Sequence, residues 1–226
     1  MALVQKKVKK AYLGNTLVWS ASWQPWANTI AYYPLTSNAN DATSNHNDMT
    51  ADSLITFSSD WAYFPDNSPR TFAWLLEPNT VSISTSWPYT ILWWQKTLWV
   101  LESDARWIDL RRSGERIYTA WSSDNQYFGI GGSGVSVSQT SGVWYLNIMT
   151  IDNGTITIYC NGGTAAGSGL LNSNRTFTTF RWGNEYNTAY KRCLYWYLKD
   201  IIIEDRIWTA SEMDDYFDDK KWDYWY

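Results

Sequence analysis

Apolar positions recur at strand spacing through most of the chain, and most plainly in residues 141–163, SGVWYLNIMTIDNGTITIYCNGG. Residues 143–151 are almost continuously apolar, the pattern of a strand covered on both faces. Asp152-Asn153-Gly154 follows, and these residue types tolerate the positive φ of a tight hairpin turn. The return strand alternates, with Ile156, Ile158 and Cys160 on one face and Thr155, Thr157 and Tyr159 on the other. Asn161-Gly162-Gly163 ends it.

Shorter strands are predicted over residues 29–35, 54–57, 61–64, 71–76, 81–84, 107–111, 116–121 and 127–130, then over 177–182 and 195–204. Residues 89–101, YTILWWQKTLWVL, are apolar on both sides of Gln95-Lys96 and predict a hairpin near a sheet centre. Residues 129–134, GIGGSG, predict a flexible connection. They lack the lysine directly after the glycines, and the following helix, that a phosphate loop requires. Residues 4–19 predict a small separate hairpin turning at Gly14-Asn15, and residues 20–28 a linker. One helix is predicted: Thr209 and Glu212 form a capping box, and Met213, Tyr216 and Phe217 make one apolar stripe. No internal repeat of about 20–50 residues is present.

The 226 residues suffice for one sandwich of ordinary size. A formal charge of −4 argues against a nucleic-acid binder held by bulk electrostatics. The 17 Trp are too many for a core alone, so some belong on a surface or interface. No apolar run approaches the roughly 18–20 residues of a membrane span. The lysine-rich start, MALVQKKVKKAYLGN, has no apolar segment behind it and does not read as a secretory signal. Cys160 and Cys193 make no disulfide framework and read as free buried thiols, although whether they meet stays open. A thiol nucleophile would want a histidine, and the only one, His46, stands in a polar loop.

Three motifs resemble the laminin-G-like domains of the concanavalin A-like lectin/glucanase superfamily. The first is the central hairpin, running from Trp144-Tyr145 through its Asx-Gly turn to Tyr159, Asn161 and Gly162. The second is Tyr33-Pro34-Leu35 and a loop carrying Asn38, Asn40, Asp41, Ser44, Asn45 and Asn47. The third is a closing strand and helix, YLKDIIIEDRIWTASEMDDYF, in which Trp196 stands where the family's pattern has glycine. The resemblance implies an all-β, concanavalin A-like (laminin-G-like) jelly-roll β-sandwich with one short C-terminal helix. Residues 28–219 would form that domain, 1–27 an N-terminal β arm and linker, and 220–226 an aromatic, charged tail.

Glucanases of that superfamily place Glu, Asp and Glu at alternate positions of one strand. Here Glu102 and Asp104 begin such a set, but position 106 is Arg. Glu204 and Asp205 are adjacent and so point to opposite faces. Catalysis is therefore not expected. Asn38, Asn40, Asp41, Asn45 and Asp48 offer hard oxygen ligands that suit Ca²⁺; alternatively they hydrogen-bond their own loop. The loop and turn aromatics Trp23, Trp26, Trp61, Trp87 and Tyr186 could serve as platforms for sugar rings or bury a protein interface.

Lys6, Lys7, Lys9 and Lys10 either protect a solvated strand edge or mark an attachment arm. The segment resembles the lead-in strands of phage tail and capsid-surface proteins. These features predict a non-catalytic recognition or structural module on a virion surface, joined to other virion proteins through its arm and assembled as a homo-oligomer. The alternatives are a carbohydrate-binding, lectin-like domain of a bacterial surface protein and, third, a glycoside hydrolase. Glycans are the expected ligands, at a virion or cell surface, with no nucleic-acid partner and no membrane span.

Overall fold

The computed structural model describes residues 10–13, 16–20, 27–65, 75–76, 80–99, 105–112, 115–122, 125–130, 133–171, 175–183 and 195–224. In chain order the strands are β1 (Lys10–Leu13), β2 (Thr16–Ser20), β3 (Thr29–Tyr33), β4 (Thr50–Ala51), β5 (Thr56–Phe57), β6 (Ala62–Phe64) and β7 (Leu75–Leu76). Next come β8 (Ile83–Ser84), β9 (Tyr89–Trp99), β10 (Ala105–Arg112), β11 (Glu115–Ser122), β12 (Asn125–Ile130) and β13 (Ser133–Ser138). The remainder are β14 (Trp144–Asp152), β15 (Thr155–Cys160), β16 (Ala165–Leu170), β17 (Thr176–Phe177), β18 (Thr179–Trp182) and β19 (Tyr195–Glu204), followed by helix α1 (Ala210–Lys220). The protein is an all-β sandwich with one C-terminal α-helix among the described residues. One sheet runs β13-β12-β11-β10-β18-β7-β4 and the other β16-β15-β14-β9-β19-β6-β5, with β3 also beside β19. Among the described residues β1 and β2 pair with each other alone, and β8 pairs with β17.

The central hairpin forms at the expected residues. Asn153 has φ 44° and Gly154 φ 81°, the two positive values that match a tight turn to the twist of its strands. β14 is covered on both faces because the sandwich has two cores. Met149 and Ile151 point between the sheets with Ile156 and Ile158. Trp144, Leu146 and Ile148 point outward, beneath Trp208, Met213 and Tyr216. Each fully buried side chain of this size contributes about 1.5–3 kcal/mol, which is what fixes the helix to the outer face. Its capping box forms as predicted, with Thr209 accepting from the Glu212 N–H and Glu212 accepting from the Thr209 N–H. Beyond α1 a 3₁₀ turn over Lys221–Asp223 delivers Tyr224 to the same outer core, where it is buried.

Residues 89–99 form one continuous strand rather than a hairpin. The polar Gln95 sits inside it, fully buried, because an amide chain satisfies it. The Trp93 indole N–H donates to Gln95 Oε1 at 2.8 Å, and Gln95 Nε2 donates to Gln126 Oε1 at 3.0 Å and Gln139 Oε1 at 3.1 Å. Gln139 Nε2 continues to Asn147 Oδ1 at 2.7 Å. A buried polar residue is tolerated mid-strand when partnered in this way. Positions 131 and 132 of the glycine run lie outside the described residues, while its two ends lie in strands, Gly129 in β12 and Gly134 in β13, register partners across the pair. Both are glycines because tyrosine rings lie over them. A Cβ on Gly129 would stand 2.3 Å from the Tyr118 ring, and one on Gly134 2.1 Å from the Tyr127 ring. Trp196 is fully buried with its ring 4.8 Å from Phe64, so the position expected to hold glycine is a core position. Cys160 is half-buried, and burial pushes its thiol up to about 11. Gly14-Asn15 and Cys193 lie outside the described residues.

Candidate ligand-binding surface

The polar loop after β3 is shaped by one carboxylate. Asp41 is buried; its Oδ1 accepts from the N–H groups of Tyr32 at 3.0 Å and Thr43 at 2.9 Å. Its Oδ2 accepts from the Thr43 hydroxyl at 2.7 Å and the Asn47 N–H at 3.0 Å. Asp48 Oδ1 accepts from the Asp41 N–H at 2.9 Å, and Asn38 Oδ1 from the Asn40 N–H at 2.9 Å. Asn45 Nδ2 donates to the carbonyls of Thr29 and Ile30. Asn38, Asp41 and Asp48 thus spend side-chain oxygens within the loop, Asn40 its N–H, and Asn45 its amide on β3. Among the described residues no three His, Cys, Asp or Glu side chains cluster as metal ligands.

Of the carboxylates weighed for hydrolysis, Glu102 and Asp104 lie outside the described residues. Glu204 is fully buried and accepts from Trp208 Nε1 at 2.6 Å and Thr29 Oγ1 at 3.1 Å, with Arg206 Nε at 2.9 Å. Burial pushes its carboxyl up, against the pull of Trp208, Arg206 and Thr29. Its chain neighbour Asp205 is exposed.

Trp87 stands at one end of the sandwich, in the turn between β8 and β9. It is 67% exposed, and its N–H donates to the Ser84 carbonyl at 3.2 Å. The turn is strapped down through Thr85, whose carbonyl accepts from the Gly154 N–H at 2.7 Å. The Thr85 N–H reaches the Arg175 carbonyl at 2.7 Å, and the Arg175 N–H returns to Thr85 Oγ1 at 2.7 Å. This ties the backbone turn that carries Trp87 to the β14–β15 turn, where Asp152 and Asn153 are themselves exposed. A flat indole on a fixed turn beside polar side chains can stack on a sugar's apolar face while its neighbours read hydroxyls.

Trp61 takes a different place, half-buried against the outer face of the eight-stranded sheet. A turn closed by Ser58, with Trp61 N–H to Ser58 Oγ at 3.0 Å and Ser58 N–H to the Trp61 carbonyl at 2.9 Å, folds its ring inward. The ring centroid is 5.2 Å from Tyr197 and 6.3 Å from Trp144, and Tyr63 lies 5.2 Å from Tyr197. Trp144, Lys96, Tyr197 and Tyr63 follow one another across four strands in register. Further along, Tyr224 stacks on Trp94 at 4.2 Å and meets Trp144 at 5.3 Å. Its hydroxyl and that of Tyr32 donate to the two oxygens of Asp200, the latter at 2.8 Å. Asp200 is buried, with φ 49°, where β19 slips register against β9. Burial foremost, with the Asp200 charge second, raises the hydroxyls of Tyr32, Tyr216 and Tyr224 far above the usual tyrosine range. Trp23, Trp26 and Tyr186 lie outside the described residues.

Sequence reasoning about loop aromatics missed the row through Lys96, Tyr197 and Tyr63, because these residues sit within strands. The available signal was the alternation in AYF and YWYLK, which puts Tyr63, Tyr197 and Lys199 on the faces opposite to core residues.

No family model matches the chain, and no curated protein matches it in sequence. Solved structures do resemble it. The binding domain of botulinum neurotoxin serotype G superposes with a TM-score of 0.64 at 14% identity, over 84% of this chain and 50% of that one. The binding domain of Paraclostridial Mosquitocidal Protein 1 gives 0.63 at 13%, over 84% and 52%. A structure of botulinum neurotoxin type C, whose cell entry depends on interaction with two ganglioside molecules, gives 0.65 at 12%, over 84% and 51%. The chain spans about half the length of the structures it matches. At such identities the likeness is one of fold, a β-sandwich found in binding domains.

Proposed function

We propose that this protein is a non-catalytic recognition module, a laminin-G-like sandwich that binds glycans at the surface of a virion or cell. The observation that carries the reading is Trp87, 67% exposed on a turn anchored to the sandwich frame. An indole carried on an anchored backbone turn loses less freedom on binding than one on a mobile loop. The binding-domain neighbours support a recognition role, and the ganglioside-dependent toxin supports a glycan as ligand. A non-catalytic reading is supported by Glu204, whose oxygens are occupied by Trp208, Thr29 and Arg206.

Attachment to a larger assembly, with the N-terminal arm as the joint, is supported by β1 and β2, which form a sheet of their own. The test is a glycan array on the full chain, followed by titration calorimetry of each hit with wild type and Trp87→Ala. Loss of a central aromatic anchor weakens binding by about 30-fold or more. An array without hits, or a hit bound equally by Trp87→Ala, would refute the reading.

A further inference from the structure

We infer that the outer face of the eight-stranded sheet holds a second, separate site, for a saccharide carrying a carboxylate. Five residues build it: Lys96, Lys199, Trp61, Tyr63 and Tyr197. The rings supply the shelf. Tyr197 lies between Trp61 and Tyr63, each 5.2 Å away and tilted against it, and all three are only half-buried. The shelf begins where the helix and its following turn stop covering the sheet. Tyr224 is 5.3 Å from Trp144, which is buried, and Tyr197 is 6.3 Å from Trp144 on the uncovered side.

The lysines supply the charge selectivity. Lys96 faces Tyr197 across the ladder and Lys199 faces Trp94, so the two lysines are diagonal neighbours on adjacent strands, about 7–8 Å apart at their origins. Flexible four-carbon stems let both ammonium groups converge on one small anion. Neither pairs with a carboxylate among the described residues, although the chain carries an excess of acids and a net charge of −4. Lys199 Nζ lies over the face of Tyr224, at 4.8 Å. Two cations with no carboxylate partner among the described residues, beside half-exposed rings, fit a ligand with one anionic group and one apolar ring face.

The rim narrows the class. Asp60 is exposed next to Trp61, its Oδ2 accepting from Ser59 Oγ at 3.1 Å. A negative charge one residue from the Trp61 ring opposes a densely sulfated chain more than a ligand with one anionic group. The site therefore favours a single carboxylate over polysulfate.

The experiment titrates the full chain calorimetrically with 3′-sialyllactose, lactose and a sulfated heparin tetrasaccharide. Wild type, Lys96→Gln/Lys199→Gln, Tyr197→Ala and Trp87→Ala are compared, with circular dichroism confirming the fold of each. Sialyllactose is expected to bind on the order of tenfold tighter than lactose and to weaken with added salt. The double lysine variant, whose replaced side chains are partly exposed, should fold and should lower sialyllactose affinity to that of lactose. Four results would overturn the proposal: no sialyllactose binding, equal binding of lactose, tighter binding of the heparin fragment, or a loss confined to Trp87→Ala. The last would move the ligand to the sandwich end and leave the function proposed for Trp87 intact.

Discussion

Replacing Tyr224 with phenylalanine removes one hydroxyl and tests whether Asp200 holds the segment after α1 onto the sheet. Asp200 is 3% exposed, and two tyrosine hydroxyls satisfy its two oxygens. The phenyl ring can keep the 4.2 Å stack on Trp94 and the 5.3 Å contact with Trp144, so apolar burial is nearly unchanged. A hydrogen bond to a charged group contributes about 1.5–3 kcal/mol, and here its loss strands a buried carboxylate oxygen. Tyr224→Phe should therefore cost about 2–3 kcal/mol. For a domain of this length that lowers Tm by about 4–12 °C. Thermal melts and urea titrations followed by circular dichroism measure both. Asp200→Asn in the same background should make the second loss smaller than in wild type, because the two changes share a partner. A Tyr224→Phe variant within about 0.5 kcal/mol of wild type, with no coupling to Asp200→Asn, would refute the reasoning.

Two more predictions concern the ionisable groups. Tyr32, Tyr216 and Tyr224 have hydroxyls raised by burial and by Asp200, so the folded state keeps protons that the unfolded chain releases near pH 10. Their stabilisation is fully present below about pH 10 and falls above it, by about 1.4 kcal/mol per pH unit for each tyrosine; urea midpoints on either side of that pH report the slope. Asp41→Ala deletes an acceptor of four hydrogen bonds and should cost about 2–4 kcal/mol. The same loss with calcium and with chelator is the expected result, and a calcium-dependent loss would show that the loop oxygens hold a cation.

Strands that carry their own pattern were legible from the sequence. The 144–160 hairpin announces itself through alternation and an Asx-Gly turn, and α1 through Thr209, Glu212 and its apolar stripe. β13 and β16 were not, because SGVSVS and AAGSGL are short of the large side chains that mark a strand. They are held instead by what lies beside them: Tyr127 over Gly134, and Val135 against Gly167. Gln95 misled for a related reason, since its burial depends on Gln126, Gln139 and Asn147, which come together only in the fold. Trp87 was recognisable as a turn aromatic next to proline. Lys96 and Tyr197 become neighbours only once β9 and β19 pair, and no linear pattern records that.

β19 occupies the middle of the eight-stranded sheet, with β9 on one side and β6 and β3 on the other. During synthesis it leaves the ribosome after every other described strand. Until then β3 has no ladder partner among the described residues, and β9 presents an open edge where β19 will lie. Folding cannot proceed from the N-terminus strand by strand; the nascent chain must wait for residues 195–204 and then close contacts far apart in sequence, a slow route. A chain interrupted before residue 195 would keep two unfinished half-sheets with bare edges, open to pairing with other chains. One late strand thus makes synthesis of residues 195–204 a checkpoint for completion of the fold.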